Sequence, residues 1–432
     1  MSIVVLTLRG IAYELADPYV LMLILVMGFI LYKRNKRTVM MKRMIIGKDE
    51  NTAFELTISQ VVIGVIAGSI ISVILSVLGV AFINNVSIYL IFVLSMIFML
   101  IKPRFVCFAY SGAALGLISI IISLIKPYYP KVYSNLDFLS IDIVALMTLI
   151  AVIHFAEGIL VILDGHRGAV PVFSKQDNEI VGGYSYSRFW PIPVTIFIIL
   201  QNSKDMVLGD TVLMPKWWPL INLSVTAEVL LAAIIMLVPL YGVIGYKSIS
   251  FTMDRKKKPI TSGLLLMVYA SILFLLAQIA YINIWFKLLV VIFAPFGHES
   301  LSLYSKYREI KDKPRYVSTD EGFSVLHVLK NSPAYEMGIK SGDLLIEVNN
   351  NKIEIERDIL DAESSGINFI WFKIKTIKGE IKEVSYNKMN STKRLGIVFV
   401  PKLASINNRS KIVKVDGSEE SFKDILNKFK ND

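Results

Sequence analysis

At 432 residues, 54% of them hydrophobic, and with a mean hydropathy of +0.58, the chain is too apolar for an ordinary soluble protein and reads as a polytopic α-helical membrane protein. Its formal net charge of +11 comes from Lys and Arg clustered beside apolar runs, the signature of membrane topology, so nucleic acid is not an expected partner. The single cysteine, Cys107, lies inside an apolar run and excludes both an intrachain disulfide framework and a metal site built from several cysteines.

Residues 1–17 read as a short interfacial helix, without the basic region and small-residue cleavage site of a removable signal. Apolar runs follow at 18–32, 60–83, 86–101, 105–125 and 141–163. The first ends in Lys33, Arg34, Lys36, Arg37, Lys42, Arg43 and Lys48, a dense basic loop expected on the cytoplasmic side. Residues 189–200 are apolar but short, and Pro191 and Pro193 argue for a broken or shallow segment there. Residues 220–246 read as a full span, and Arg255, Lys256, Lys257 and Lys258 mark a second cytoplasmic loop. The block 262–296 is too long for one helix and splits into two runs joined near 281–285. Residues 1–304 therefore form a multi-span domain of about eight or nine apolar segments, the count depending on whether 189–200 crosses or re-enters. A charged linker, 305–315, leads to a small α+β module at 316–402, and residues 403–432 form a tail.

The most unusual stretch runs from 154 to 193. His154 and Glu157, three residues apart, share one helix face near the membrane, where uncompensated charge is costly, so they are expected to pair or to face protein and water. His166, Arg167, Arg188 and Trp190 are expected to order the following loop at the membrane boundary, where Trp and Arg are favoured. Leu163-Asp164-Gly165 is similar to an element of intramembrane metalloproteases, but their His-Glu-x-x-His is absent, since His298-Glu299 is followed by Ser300-Leu301-Ser302. With only His154, His166, His298 and His327 in the chain, no zinc catalysis, no metal and no cofactor is expected. No nucleophile–base pair or phosphate loop stands out either, so no residue is assigned a catalytic role.

In the module, alternating Phe323, Val325 and Val328 predict a strand. Ser332 suits a helix N-cap, Pro333 the first helical position, and Gly338 the helix end. A strand at 344–348, a turn at Asn349-Asn350-Asn351, a helix at 354–364 ended by Gly366, and strands 368–376 and 381–387 turned at Lys378-Gly379 complete the pattern. The order resembles a PDZ domain of the circularly permuted bacterial type, with Arg394-Leu395-Gly396-Ile397-Val398-Phe399 supplying the ligand loop at the far end. What the resemblance implies is a groove that binds an extended peptide, with backbone amides of the Leu395-Gly396 loop receiving its carboxylate. Alternation puts Leu395, Ile397 and Phe399 on the groove face and Val398 and Val400 toward the core, with Leu360 on the opposite wall. The same residues also allow a plain reading in which Gly396 is a strand bend and Leu395 and Ile397 are core. In the tail, a strand at 411–415 and an amphipathic helix at 418–429, with Phe422, Ile425, Leu426 and Phe429 on one face, are expected.

Taken together, the spans, the His-x-x-Glu-Gly helix running into DGHRGAVPVF, the paired glycines, RFWPIP and the terminal module resemble the MinJ-type cell-division topology proteins of Gram-positive bacteria. The resemblance implies a non-enzymatic scaffold in the cell membrane, enriched at septum or poles, with a cytoplasmic PDZ domain. Its implied partners are DivIVA-like and MinD-like division proteins, other divisome membrane proteins and the lipid bilayer. An alternative is a membrane-anchored regulator presenting substrates to a separate peptidase. A transporter is less in keeping with spans that carry few polar residues beyond His154, Glu157, Glu228 and Gln278.

Overall fold

The computed structural model describes residues 3–47, 51–83, 86–131, 136–176, 179–200, 217–221, 234–364, 369–387 and 394–402. Helices α1 (Ile3–Ala16), α2 (Pro18–Ile46) and α3 (Ala53–Leu78) come first. Asp17 caps α2 by accepting from Tyr19 and Val20 N–H, with Pro18 at the first helical position, and Thr52 and Glu55 form a capping box on α3. A short strand β1 (Ala81–Ile83) precedes α4 (Leu90–Ile101), α5 (Phe108–Ile125) and α6 (Ile143–Asp164). After strands β2 (Val170–Gln176), β3 (Glu179–Leu200) and β4 (Ile234–Ser250) come α7 (Lys257–Ile279) and α8 (Ile284–Lys311). Six of these helices, α2, α3, α5, α6, α7 and α8, are long and apolar enough to cross a membrane.

Three expectations change. The basic run after residue 32 is not a loop, because α2 continues through it to Ile46. The linker expected at 305–315 is helical to Lys311, the last turns of α8. The largest correction is at 189–200 and 220–246. The first lies in β3, and residues 234–246 of the second lie in β4, while Leu220 and Ile221 donate their N–H groups to Leu78 O at the end of α3. Hydropathy does not distinguish a buried strand from a buried helix. The local chemistry does: Ile192, Val194, Thr195, Ile196, Ile198 and Ile199 are β-branched, and Pro239, Gly242 and Gly245 would weaken a helix. The two strands run antiparallel, so the chain leaves this hairpin at the end where it entered, just as two crossings would have returned it.

β3 is the spine of the molecule. β4 pairs along one edge from Tyr184–Ser250 to Leu200–Ile234. β2 pairs with its first residues, and β1 runs parallel to Phe197–Ile199. Between them the second edge is covered by α3 instead of a strand. An alanine Cβ at Gly64 would sit 2.1 Å from Pro191 O, and one at Gly68 would sit 2.1 Å from Pro193 O. At the next step Ser72 Oγ accepts the Thr195 N–H at 2.8 Å. Four helical residues rise about 6 Å and two strand residues about 6.6 Å, so the stripe 64–68–72 keeps step with 191–193–195. The prolines have no N–H to leave unpaired on this edge.

The C-terminal module opens with β5 (Tyr316–Val317), which pairs with Val181 and Gly182 of β3. It continues with β6 (Phe323–Val328), α9 (Pro333–Glu336), β7 (Leu344–Val348), β8 (Asn351–Lys352), α10 (Glu356–Ser364), β9 (Phe369–Lys375), β10 (Ile381–Asn387) and β11 (Ile397–Phe399). The sheet order is β10-β9-β7-β6-β11, with β8 beside β7. Ser332 caps α9 through Tyr335 N–H, as expected. Phe323, Val325, Leu345, Ile359, Phe372 and Leu395 share the module's own core. Val398 and Val400, expected there too, belong with Leu326 to the large core that includes Tyr184, Ile180 and Tyr316. The reason is that this face of β6 and β11 is covered by the base of β2 and β3: Tyr184 Oη donates to Leu326 O at 2.6 Å, and a Cβ at Gly182 would meet Val400 at 2.6 Å. Gly366 and the tail elements at 411–415 and 418–429 lie outside the described residues.

Gly68→Ala is expected to lower stability by about 1–3 kcal/mol, because the new methyl meets a strand backbone. Gly28→Ala, where nothing lies within 4 Å, should not destabilise. Thermal unfolding midpoints of the two variants in the same detergent check this difference.

Candidate functional site

Among the described residues β11 is the terminal strand of its sheet, hydrogen-bonded to β6 on one side. The Leu395-Gly396 turn before it is built against the start of α9. Leu395 O accepts from Ala334 N–H at 3.1 Å and Gly396 O from Leu329 N–H at 2.9 Å. Gly396 has φ +74°, and a Cβ there would lie 2.4 Å from Ser332 Cβ, so this position admits glycine on both counts. Ile397 and Phe399 are half-buried, with Phe399 edge-on to Phe323 at 5.6 Å. Leu360 on α10 is exposed, and Arg394 is exposed near the end of α2 at Gly47. Leu395, in contrast, is buried in the module core, so it supports the turn from beneath. The Leu395 N–H already donates to a carboxylate, Glu363 Oε1 on α10. Glu363 was not singled out from sequence, because nothing local marks a helix glutamate that reaches a turn 32 residues on.

The boundary residues divide into two clusters. In the first, Asp164, at the last residue of α6, is the hub. Its Oδ2 accepts from Arg188 Nε at 2.9 Å and from Trp190 Nε1 at 2.9 Å, while Arg167 approaches Oδ1 at 3.4 Å. Arg188 also donates to Leu56 O at 3.3 Å and Ser59 Oγ at 3.0 Å on α3. Arg188 and Asp164 are 1% and 2% exposed, so this is a buried ion pair that locks α3, α6 and β3 together. His166 follows at the rim, where burial, reinforced by Arg255 and Lys256, holds its imidazole below the ordinary value.

The second cluster lies about 15 Å farther along α6, ten residues from Asp164. His154 Nε2 is 2.9 Å from Cys107 Sγ, and its Nδ1 is 2.8 Å from Ile150 O. His298 Nε2 on α8 lies 3.7 Å from the same sulfur. His298 Nδ1 is 3.5 Å from Tyr110 Oη, which donates to Glu299 Oε2 at 2.7 Å. Tyr269 on α7 packs edge-on against both imidazoles, at 5.6 Å and 6.0 Å between ring centroids. Of the two expected arrangements, pairing with Glu157 or facing protein and water, His154 takes the second, meeting Cys107 and the Ile150 carbonyl. The thiol and two imidazole nitrogens lie within 4.8 Å of one another, a metal-binding donor set that sequence reading did not anticipate. Cys107 is 47 residues from His154 and 191 from His298, so no motif spacing could announce it.

No protein-family model and no curated protein matches the chain. The functional reading therefore rests on the residues themselves.

Asp164→Asn would leave the Arg188 guanidinium buried without its counter-charge, and is expected to cost about 3–5 kcal/mol. Arg167→Ala removes a contact whose guanidinium side is 53% exposed and should change stability by less than about 1 kcal/mol. Parallel denaturant titrations in detergent separate the two.

Proposed function

We propose that the chain is a non-enzymatic, multi-pass membrane scaffold whose C-terminal module is a circularly permuted PDZ-type domain that captures the C-terminal segment of a partner. The single observation that carries this reading is the Leu395-Gly396 turn leading into the terminal strand β11, with α10 reaching the turn from the opposite wall. A peptide added along that edge gains main-chain hydrogen bonds, and Ile397, Phe399 and Leu360 offer apolar contacts for alternate side chains. The contact between Glu363 and the Leu395 N–H supports the same reading, since a carboxylate already sits where a peptide terminus would dock. Incoming peptide then competes with a tethered, weaker mimic of itself.

The module lies at the basic end of the helices. Arg34 of α2 stacks on Phe189, and Arg394 borders the end of α2. Lys258 of α7 pairs with Glu309 of α8, which also accepts from Phe251 N–H and Thr252 Oγ1 just after β4. Concentration of Lys and Arg at this end supports a cytoplasmic module. A membrane anchor confines the groove to two dimensions and raises its effective concentration toward other membrane-bound partners, so modest single contacts suffice. Division-site placement, with DivIVA-like and MinD-like partners at septum or poles, rests on the MinJ-type resemblance of residues 154–193 and the terminal module.

Two experiments test this. A fluorescent fusion expressed at native level should gather at septa or poles, and a truncation ending at Lys311 should lose the address if the module carries it; even distribution of the full chain around the membrane would sink the division-site reading. For the groove, Ile397→Asp should weaken binding of C-terminal peptides selected from a library by about tenfold or more, corresponding to the loss of a buried apolar contact. Glu363→Gln should tighten the same binding in fluorescence anisotropy, and unchanged affinity would remove the competing-carboxylate role.

A further inference from the structure

We propose that Cys107, His154 and His298 form a binding site for one zinc-class divalent transition metal ion inside the helical region, joining the start of α5 to α6 and α8. Three donors of this kind from three separate elements, with atoms within 4.8 Å of one another, match the thiolate-and-imidazole set that selects zinc over the oxygen-seeking magnesium and calcium. Around a tetrahedral zinc, Zn–S of about 2.3 Å and Zn–N of about 2.0–2.1 Å place sulfur and nitrogen about 3.5 Å apart. The two Sγ–Nε2 separations are 2.9 Å and 3.7 Å, on either side of that value.

The second layer of contacts points the same way. Ile150 O lies 2.8 Å from His154 Nδ1, which assigns the proton to Nδ1 and leaves the Nε2 lone pair facing the sulfur. On His298 the chain Nδ1, Tyr110 Oη, Glu299 Oε2 does the same: Tyr110 donates to the carboxylate and so accepts from Nδ1–H, which again frees Nε2. Two histidines oriented by a carbonyl and by a carboxylate-backed tyrosine, both presenting the same nitrogen to one thiol, are the arrangement by which proteins fix metal ligands. Cys107 caps the N-terminus of α5, with the Ala109 N–H 3.5 Å from Sγ. Tyr269 seals the imidazoles and is itself held by donating to Ala294 O at 2.6 Å, ahead of Pro295.

No fourth protein donor joins the group among the described residues, so the fourth position falls to water or an exogenous ligand. Glu157 lies one turn beyond His154 on the same face of α6. Binding takes up one metal ion and releases the Cys107 proton to solvent; nothing is oxidised or reduced.

The test uses the full chain purified in detergent, stripped with chelator, then loaded with zinc or cobalt and dialysed. Mass spectrometry of the metal content should give about one zinc per chain, and cobalt should produce a thiolate-to-metal charge-transfer band. Cys107→Ser should abolish that band, and His298→Gln should weaken retention by at least tenfold, with Arg167→Ala as an unaffected control. Zinc should raise the unfolding midpoint of the wild type and leave that of Cys107→Ser unchanged. The cobalt spectrum of the wild type decides the matter even if a variant fails to fold. Absence of the band, or equal trace zinc in wild type and Cys107→Ser, overturns the proposal and leaves a hydrogen-bonded thiol between two imidazoles.

Discussion

The constraint on which this structure depends is that backbone N–H and C=O groups among apolar helices must find partners within the protein. A long strand such as β3 is hard to place there, since it presents two edges. β4 satisfies one edge along all 17 of its residues. β5 extends the β4 edge at Val181 and Gly182, and the other edge is shared by β2 and β1 at its ends and α3 in its middle. That middle is where Pro191 and Pro193 carry no donor and Thr195 gives its own to Ser72. Gly64 and Gly68 are small because strand carbonyls occupy the space where side chains would be. The helix stripe and the proline pattern are two halves of one fit.

The Asp164–Arg188 pair sits at the edge of that fit and serves placement more than stability. Desolvating both groups is costly, and an apolar pair of the same volume would give back much of that energy. What the charged pair adds is direction. The guanidinium reaches Asp164 on α6 and Leu56 and Ser59 on α3 at once, and the Trp190 indole N–H donates to the same Asp164 Oδ2. Two helices and the strand are thereby held in a single register.

Docking of the C-terminal module follows from β6 and β11 having two buried faces. Phe323, Val325 and Leu395 fill the module's own core, while Leu326, Val398 and Val400 pack on Tyr184, Tyr316 and Gly182. Because Gly396 and Ser332 lock the turn before β11, the edge next to α10 is set by the same packing that fixes the module on the hairpin. The cysteine–histidine cluster lies one layer deeper, where α5, α6 and α8 meet.

Much of this was legible in the sequence, and the boundary of legibility has a physical basis. Features set by neighbours in the chain could be read directly: the long apolar helices, the Ser332 cap with Pro333 behind it, the strand at 344–348, the hairpin turned at Gly379, and the two runs split near 281–285. Each rests on periodicity, caps or turn chemistry within a few residues. Apolar character at 189–200 and 220–246 was also evident and was read as a shallow segment and a full span, although the β-branched run from Ile192 to Ile199 and Pro239, Gly242 and Gly245 favour strand; only α3 and β4 closing on β3 supply the partners that a buried strand needs. Likewise Arg188 and Trp190 were visible as boundary residues, whereas Asp164 as their shared acceptor was not. Cys107, His154, His298, Glu363 and the outward role of Val398 and Val400 were decided only in three dimensions, since each depends on partners tens to hundreds of positions away that sequence order does not bring together.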